Sequence, residues 1–380
     1  MSSTQTATFL RPPAEIVYAR ELSALAANDR GPKPTGWKLS PRSVRTFVVG
    51  SEGQPLQHEW EGKRTETIVT RKFYGDDVLI ERATISLAGN RGLLLVGEPG
   101  TAKSMLSELM AAAISGISTN TIQGTAGTTE DQIKYSWNYA LLLAEGPSQR
   151  ALVPAPLYVG MTQGLLTRFE EITRCPQEIQ DSMVSILSDK VLMVPELDGD
   201  ARVVLAKPGF NVIATANIRD RGVNEMSSAL KRRFNFETVQ PIRDLSLEVK
   251  LVMEQTERLL AEANAPVKVE REVVELLVTT FHELREGTTA EGKQLERPST
   301  TLSTAEAVSV GYAGGLDAYY YGDKELSSNA IVRHLAGAVI KDNADDLKRL
   351  RHYFDTIVHQ RGQDQGGIWQ SYYQARKWLD

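Results

Sequence analysis

The chain has 380 residues, 41% hydrophobic and 24% charged, which is the make-up of a soluble globular protein able to build a core without staples. A formal net charge of -5 offers no global attraction for phosphate backbones, so sequence-independent nucleic-acid binding is not expected; the single cysteine, Cys175, excludes an internal disulfide. No run approaches the ~20 apolar residues of a membrane span, and the opening MSSTQTATFLRPPAE lacks the basic stretch and apolar core of a secretory signal, so the expectation is a cytoplasmic protein of two or three domains.

Residues 1–70 read as a short N-terminal extension with modest structure of its own. A helical stretch around Ala14–Ala27 precedes a polar segment, Asp29–Arg42, rich in Pro, Gly and basic residues. Short β-branched runs, Thr46–Val49 and Thr65–Thr70, follow, residue types that favour strands. No motif there carries chemistry.

Residues 71–240 alternate short apolar runs with amphipathic helices. Asp77–Ala88 reads as a helix and Leu93–Val96 as a buried strand. Ala102–Ser115 repeats Met105, Leu106, Leu109, Met110 and Ala113 at helical spacing and stops at Gly116. Thr119–Gln123, Leu165–Phe169 and Phe210–Ala216 are further strands, and a helix starts near Pro176. The pattern predicts an α/β domain, a parallel sheet sandwiched by helices. Pro241 marks a break. Residues 241–380 then read as an all-helical domain: Leu245–Ala263, Arg271–Glu286, Thr304–Gly311, Asn329–Val339, Ala344–Gln360 and Ile368–Leu379.

The strongest local signal is Gly97-Glu98-Pro99-Gly100-Thr101-Ala102-Lys103-Ser104, lying between the strand Leu93–Val96 and its helix. A loop at a helix N-terminus points unpaired N–H groups and the positive dipole end at an anion. Glycines let the backbone close around phosphate oxygens. Lys103 is placed to reach the β- and γ-phosphates, and the Ser104 hydroxyl to ligate Mg²⁺. The strict pattern has glycine where Ala102 stands; as the opening residue of a helix, Ala102 is not expected to need a positive φ.

Such a loop needs carboxylates from a neighbouring strand, one for the metal shell and one to polarise the attacking water. The run Gly164-Leu165-Leu166-Thr167-Arg168-Phe169-Glu170-Glu171 supplies them, Glu170 for the metal and Glu171 as the base. Two features are unorthodox: aspartate is usual at Glu170, and Arg168 interrupts an apolar strand. Asn217 ends the strand Phe210–Ala216, where a neutral amide can orient water against the γ-phosphate.

Taken in order, GEPGTAKS, IQGTAGTTEDQI, LLTRFEEITR, FNVIATANIRDRG and SSALKRRF resemble the successive signatures of MoxR-type AAA+ ATPases. The resemblance is close from about Tyr74 to Phe236 and loose beyond. It implies a P-loop core followed by a helical lid, with ATP and Mg²⁺ as ligands. Gly97–Ser104 would be Walker A, Glu170 and Glu171 Walker B, and Asn217 sensor 1. Arg233, with Arg232 as companion, would be an arginine finger acting on the γ-phosphate of a neighbouring subunit. It further implies a hexameric ring, a protein client, and a separate partner bearing a von Willebrand factor A domain. Gly124–Thr129, Tyr135–Tyr158 and a hairpin over Val191–Ala206, turning at Leu197-Asp198-Gly199-Asp200, fall where the family carries client-facing inserts. In the lid, Thr301 occupies the slot of the family's sensor 2 arginine, with Arg297 slightly upstream. Trp369, Tyr372, Tyr373 and Trp378 form an aromatic cluster expected to pack against the lid.

Two other readings stand beside this one. The substitutions at Glu170 and Ala102, together with Thr301 in the sensor 2 slot, suit a nucleotide-gated scaffold that binds ATP tightly and hydrolyses it poorly. A motor of a nucleic-acid-directed system is disfavoured by the acidic balance. The histidines His58, His282, His334, His352 and His359 show no zinc-ligand spacing.

Overall fold

The computed structural model describes residues 10–217, 224–299, 301–341 and 343–380. Gly92–Gly97, here β1, is buried along its whole length, as its unbroken apolar run requires of a strand covered on both faces. Four strands join it: β2 (Thr121–Gln123), β3 (Leu166–Glu170), β4 (Asn211–Asn217) and β5 (Phe234–Thr238), in the spatial order β5-β1-β4-β3-β2. All pairings are parallel. The alternation of a strand shows directly in the packing: Leu93 and Leu95 enter one apolar cluster, Leu94 and Val96 the other. The register sets Asn217 opposite Gly97, so β4 and β1 end together.

Helix α1 (Lys103–Ser115) follows β1 and closes at Gly116, whose φ of 75° is the left-handed conformation that glycine adopts without strain. The helix Asp77–Ala88 precedes the sheet, its Asp76 side chain accepting from the Val78 N–H.

The N-terminal extension holds short helices and a hairpin. Its segment 46–49 is not a strand but the end of a helix, Pro41–Val49, with Ser40 capping the Ser43 N–H and proline in the first turn. Val44, Phe47 and Val48 are fully buried in the same cluster as Leu93 and Leu95. Their spacing of three and four is a helical stripe, and tertiary packing of that stripe overrides the β preference of its valines. A hairpin, Pro55–Trp60 against Lys63–Ile68, completes the region. Lys72 lies buried between the Tyr18 and Phe47 rings and donates to Glu21 and to the Phe47 carbonyl.

The described chain divides into two compact units: residues up to Gly97 together with Ala102–Val239, and Gln240–Asp380 together with Glu98–Thr101. The second unit is helical, with α2 (Leu245–Glu262), α3 (Arg271–Glu286), α4 (Thr304–Tyr321) and α5 (Ser328–Val339) around one apolar cluster. Helix α4 runs past the expected end at Gly311. A Cβ on Gly311 would lie 2.7 Å from Thr256 Oγ1, and one on Gly315 2.7 Å from Leu260 Cδ1. These glycines admit α2 at close range instead of ending the helix. Ser303 and Glu306 form a reciprocal capping box at its start. After α5, Asp345–Tyr353 continues through a π turn, Phe354–Val358, into His359–Gln365. Of the C-terminal aromatics, Tyr372 is fully buried with its hydroxyl beside Thr280 Oγ1, Trp369 and Tyr373 pack partly buried against the cluster, and Trp378 remains 45% exposed. Among the described residues no helix is long and apolar enough to cross a membrane.

Candidate nucleotide-binding site

The turn from β1 into α1 is made with backbone conformations that few side chains tolerate. Gly100 has φ 75° and Ala102 φ 64°, ψ 21°. Ala102 is therefore not a helical opening residue, as the sequence suggested, but the left-handed N-cap of α1. The glycine of the strict pattern has a physical reason, since a Cβ in this region costs roughly 1–2 kcal/mol. The chain reverses from strand to helix within a few residues, and that reversal dictates the conformation. Thr101 Oγ1 donates to the Glu98 carbonyl at 2.8 Å and closes the loop. Lys103, only 7% exposed, lays its ammonium across the loop and donates to the Gly97 carbonyl at 3.0 Å.

Glu170 ends β3 at the level of this loop. Its Oε2 accepts from Ser104 Oγ at 2.6 Å and from Thr215 Oγ1 at 2.8 Å. Its Oε1 accepts from Ser107 Oγ and from Arg168 Nη2, the latter at 2.8 Å. Ser107 and Thr215 were not singled out from the sequence. The available signals were the three-residue spacing of Ser107 from Ser104 on a helix and the position of Thr215 two residues before Asn217 on a strand. The donor set suits Mg²⁺, which takes hard oxygen ligands: Ser104 Oγ and Glu170 Oε2 stand side by side. Among the described residues no group of three or more His, Cys, Asp or Glu could hold a metal by itself. The remaining ligands would come from water and from phosphate oxygens.

Glu171 follows in the left-handed region, φ 54°. Its N–H donates to Thr215 Oγ1 at 3.0 Å, and its half-exposed carboxylate pairs with Arg174 Nε at 2.5 Å. Arg174 is a second omission of the sequence reading, legible afterwards as an ion pair three residues along a helical turn. Asn217 is buried at the end of β4, opposite Gly97. The segment 218–223 that follows lies outside the described residues.

Arg233 and Arg232 are not brought to this loop. The Arg233 carbonyl accepts from the Gly92 N–H, and Phe234 pairs with Gly92 in register. Five residues of strand then separate their level from Gly97, about 16 Å at ~3.3 Å per residue. Arg233 Nε donates to Ser188 Oγ at 2.8 Å and Nη1 to the Ala229 carbonyl at 3.0 Å, while Arg232 is exposed. In the helical unit Arg297 Nη2 donates to the Glu286 carbonyl at the end of α3.

Of the three segments expected to face a client, Tyr135–Tyr158 and Val191–Ala206 contain hairpins, whereas Gly124–Thr129 contains no strand. Tyr135–Trp137 pairs with Leu152–Pro154, and the helix between them, Tyr139–Glu145, has no buried residue. Val191–Met193 pairs with Val203–Leu205, with a 3-10 turn at Gly199–Arg202 reaching slightly beyond the expected bend. The Tyr135 hydroxyl donates to Glu196 at 3.0 Å; burial and that carboxylate hold its pKa well above the phenolic value. Tyr139, Leu143 and Leu205 are exposed.

Residues 92–234 match the AAA domain of the dynein-related subfamily, and residues 246–380 match the YehL-like AAA+ ATPase C-terminal domain. The YehL protein of Escherichia coli (strain K12) is 50% identical over 377 residues, covering 98% of this chain and 99% of YehL. YojN of Bacillus subtilis (strain 168) is 24% identical over 195 residues, 51% of this chain and 61% of YojN. The crystal structure of NtrX from Brucella abortus in complex with ADP superposes with a TM-score of 0.46 at 11% identity, covering 81% of this chain and 70% of NtrX, a likeness too distant to bear on chemistry.

Proposed function

We propose, starting from a chain that belongs to the YehL-like AAA+ ATPases, that it binds ATP with Mg²⁺ at Gly97–Ser104 and hydrolyses it within a ring of its own copies. The observation that carries this is the convergence at the ends of β1, β3 and β4: Lys103 buried across the loop, Ser104 Oγ 2.6 Å from Glu170 Oε2, and Asn217 in register with Gly97. Loop N–H groups and Lys103 bind the triphosphate. Ser104 and Glu170 would hold Mg²⁺, which would supply charge neutralisation at the phosphate oxygens. Glu171 accepts a proton from the attacking water, which Asn217 orients. Arg233 of a neighbouring copy completes the charge balance at the γ-phosphate. Its distance from Gly97 in its own chain supports action on another subunit.

A ring of six, a protein client and a partner with a von Willebrand factor A domain rest on the resemblance of the motifs to MoxR-type ATPases. The cytoplasm, where ATP is supplied and a lone buried Cys175 stays reduced, is the compartment this reading implies. One observation favours the scaffold reading: the Glu171 carboxylate is engaged by Arg174 and must be released before it can act as a base.

Nucleotide affinity and turnover, measured across protein concentrations, test both readings. Lys103→Ala should weaken ATP binding, turnover per subunit should rise with concentration, and Glu171→Gln should lower it by about 100-fold or more. Unchanged affinity in Lys103→Ala refutes nucleotide binding at this loop. Equal turnover in wild type and Glu171→Gln selects the scaffold.

A further inference from the structure

Arg168 has no part in the chemistry above, yet it lies inside a buried parallel strand and is only 8% exposed. An arginine in such a place must be fully compensated to be tolerated. Its guanidinium meets four acceptors: Nε donates to Ser107 Oγ at 3.0 Å, Nη1 to the Ser118 carbonyl at 3.0 Å, and Nη2 to the Ser104 carbonyl at 3.1 Å and to Glu170 Oε1 at 2.8 Å. One side chain thus ties the first turn of α1, the segment entering β2, and the carboxylate of β3.

The two oxygens of Glu170 are divided by this arrangement. Oε1 is taken by Arg168 and Ser107; Oε2 faces Ser104 and Thr215, the side on which the metal ligands stand. Glutamate carries one more rotatable bond than the aspartate usual at this position, and a carboxylate free to swing loses part of its affinity to ordering. The guanidinium fork suits a brace of this kind, because its planar donors fix direction as well as charge. Arg168 and Glu170 sit two residues apart on one face of β3, so the brace and the longer carboxylate form a unit.

We infer that Arg168 is a positioning residue for the Mg²⁺ site: it clamps Oε1 of an over-long carboxylate so that Oε2 is presented to the ion beside Ser104. The inference rests on the proposed nucleotide reading and adds that Arg168 and Glu170 are coupled. Groups that hold a metal ligand in place typically contribute about 10–100-fold to metal affinity.

The test compares ATP affinity in Mg²⁺ and in EDTA for the full chain, alongside thermal unfolding of each nucleotide-free variant. In Arg168→Met the enhancement of ATP binding by Mg²⁺ should fall at least about tenfold, with affinity in EDTA unchanged. Arg168→Lys, which retains charge but cannot span the four acceptors, should lose it too. The double variant Arg168→Met/Glu170→Asp should recover it, a non-additivity that a purely structural arginine does not produce. Full Mg²⁺ enhancement in Arg168→Met or Arg168→Lys overturns the inference, as does a folded double variant no better than the single ones. Should Arg168→Met fail to fold, Arg168→Lys and the double variant decide by the same criteria. Failure of wild type to bind ATP in either buffer is the distinct outcome that removes the underlying nucleotide reading.

Discussion

Glu248 is fully buried in the helical unit and is held by four donors. Arg285 donates to both its oxygens at 3.0 and 2.7 Å, Thr304 Oγ1 to Oε1 at 2.6 Å, and His282 Nδ1 lies 3.4 Å from Oε2. Arg285 also donates to the Ile242 and Leu302 carbonyls, so one ion pair joins α2, α3, the entry to α2 and the start of α4. Burial by itself would raise the pKa of Glu248; donation from His282, Arg285 and Thr304 outweighs it and brings the group from 4.5 to about 2. A carboxyl whose folded pKa is depressed contributes stability that is present above the unfolded value and lost as pH falls through the folded one. The contribution is about 3 kcal/mol at pH 7 and about 1.4 kcal/mol at pH 3, most of the loss falling between pH 4.5 and 2. Glu248→Gln should therefore be less stable by about 3 kcal/mol at pH 7, in the range of about 3–5 kcal/mol expected when a buried pair loses one partner. Urea unfolding of the full chain, followed by far-ultraviolet circular dichroism at pH 7 and pH 3, measures the gap between variant and wild type. A gap below about 1 kcal/mol at pH 7, against the 1.36 kcal/mol of each pKa unit, refutes the reasoning. A gap that stays constant to pH 3 refutes it as well, by reassigning the effect to packing.

Two further outcomes follow from particular contacts. Ala102→Gly should raise the urea midpoint of the nucleotide-free protein, because relief of roughly 1–2 kcal/mol of left-handed strain exceeds the ~0.4–1 kcal/mol by which glycine favours the unfolded chain; a lowered midpoint contradicts the positive φ at this position. Tyr353→Phe removes the hydroxyl that donates to Glu283 Oε2 at 2.7 Å, leaving Arg361 and the Ala290 N–H to hold that carboxylate. The same titration should show a loss of about 1–2 kcal/mol, and no loss would mean that Arg361 and the Ala290 N–H already satisfy Glu283.

The sequence by itself determined what depends on neighbours in the chain. The loop Gly97–Ser104 between a strand and a helix, four of the five sheet strands, the helical end of the chain and the stop at Gly116 were legible, because periodicity and turn chemistry are local; the edge strand Phe234–Thr238 was not. Where a long-range contact competed with a local preference, local reading failed. The valines of 46–49 prefer a strand, but Val44, Phe47 and Val48 bury a helical stripe in the apolar cluster that also holds Leu93 and Leu95. The glycines of α4 look like a stop, but they make room for Thr256 and Leu260. The same division runs through the site. Lys103, Ser104, Glu170, Glu171 and Asn217 could be named from motif order. That Ser107 and Thr215 share the Glu170 carboxylate, and that Arg168 ties it to α1 through Ser107, became visible only when β3, β4 and α1 were set side by side. A hydrogen bond between residues more than forty positions apart leaves no spacing in the chain; it exists only once the parallel sheet has fixed which strand ends meet.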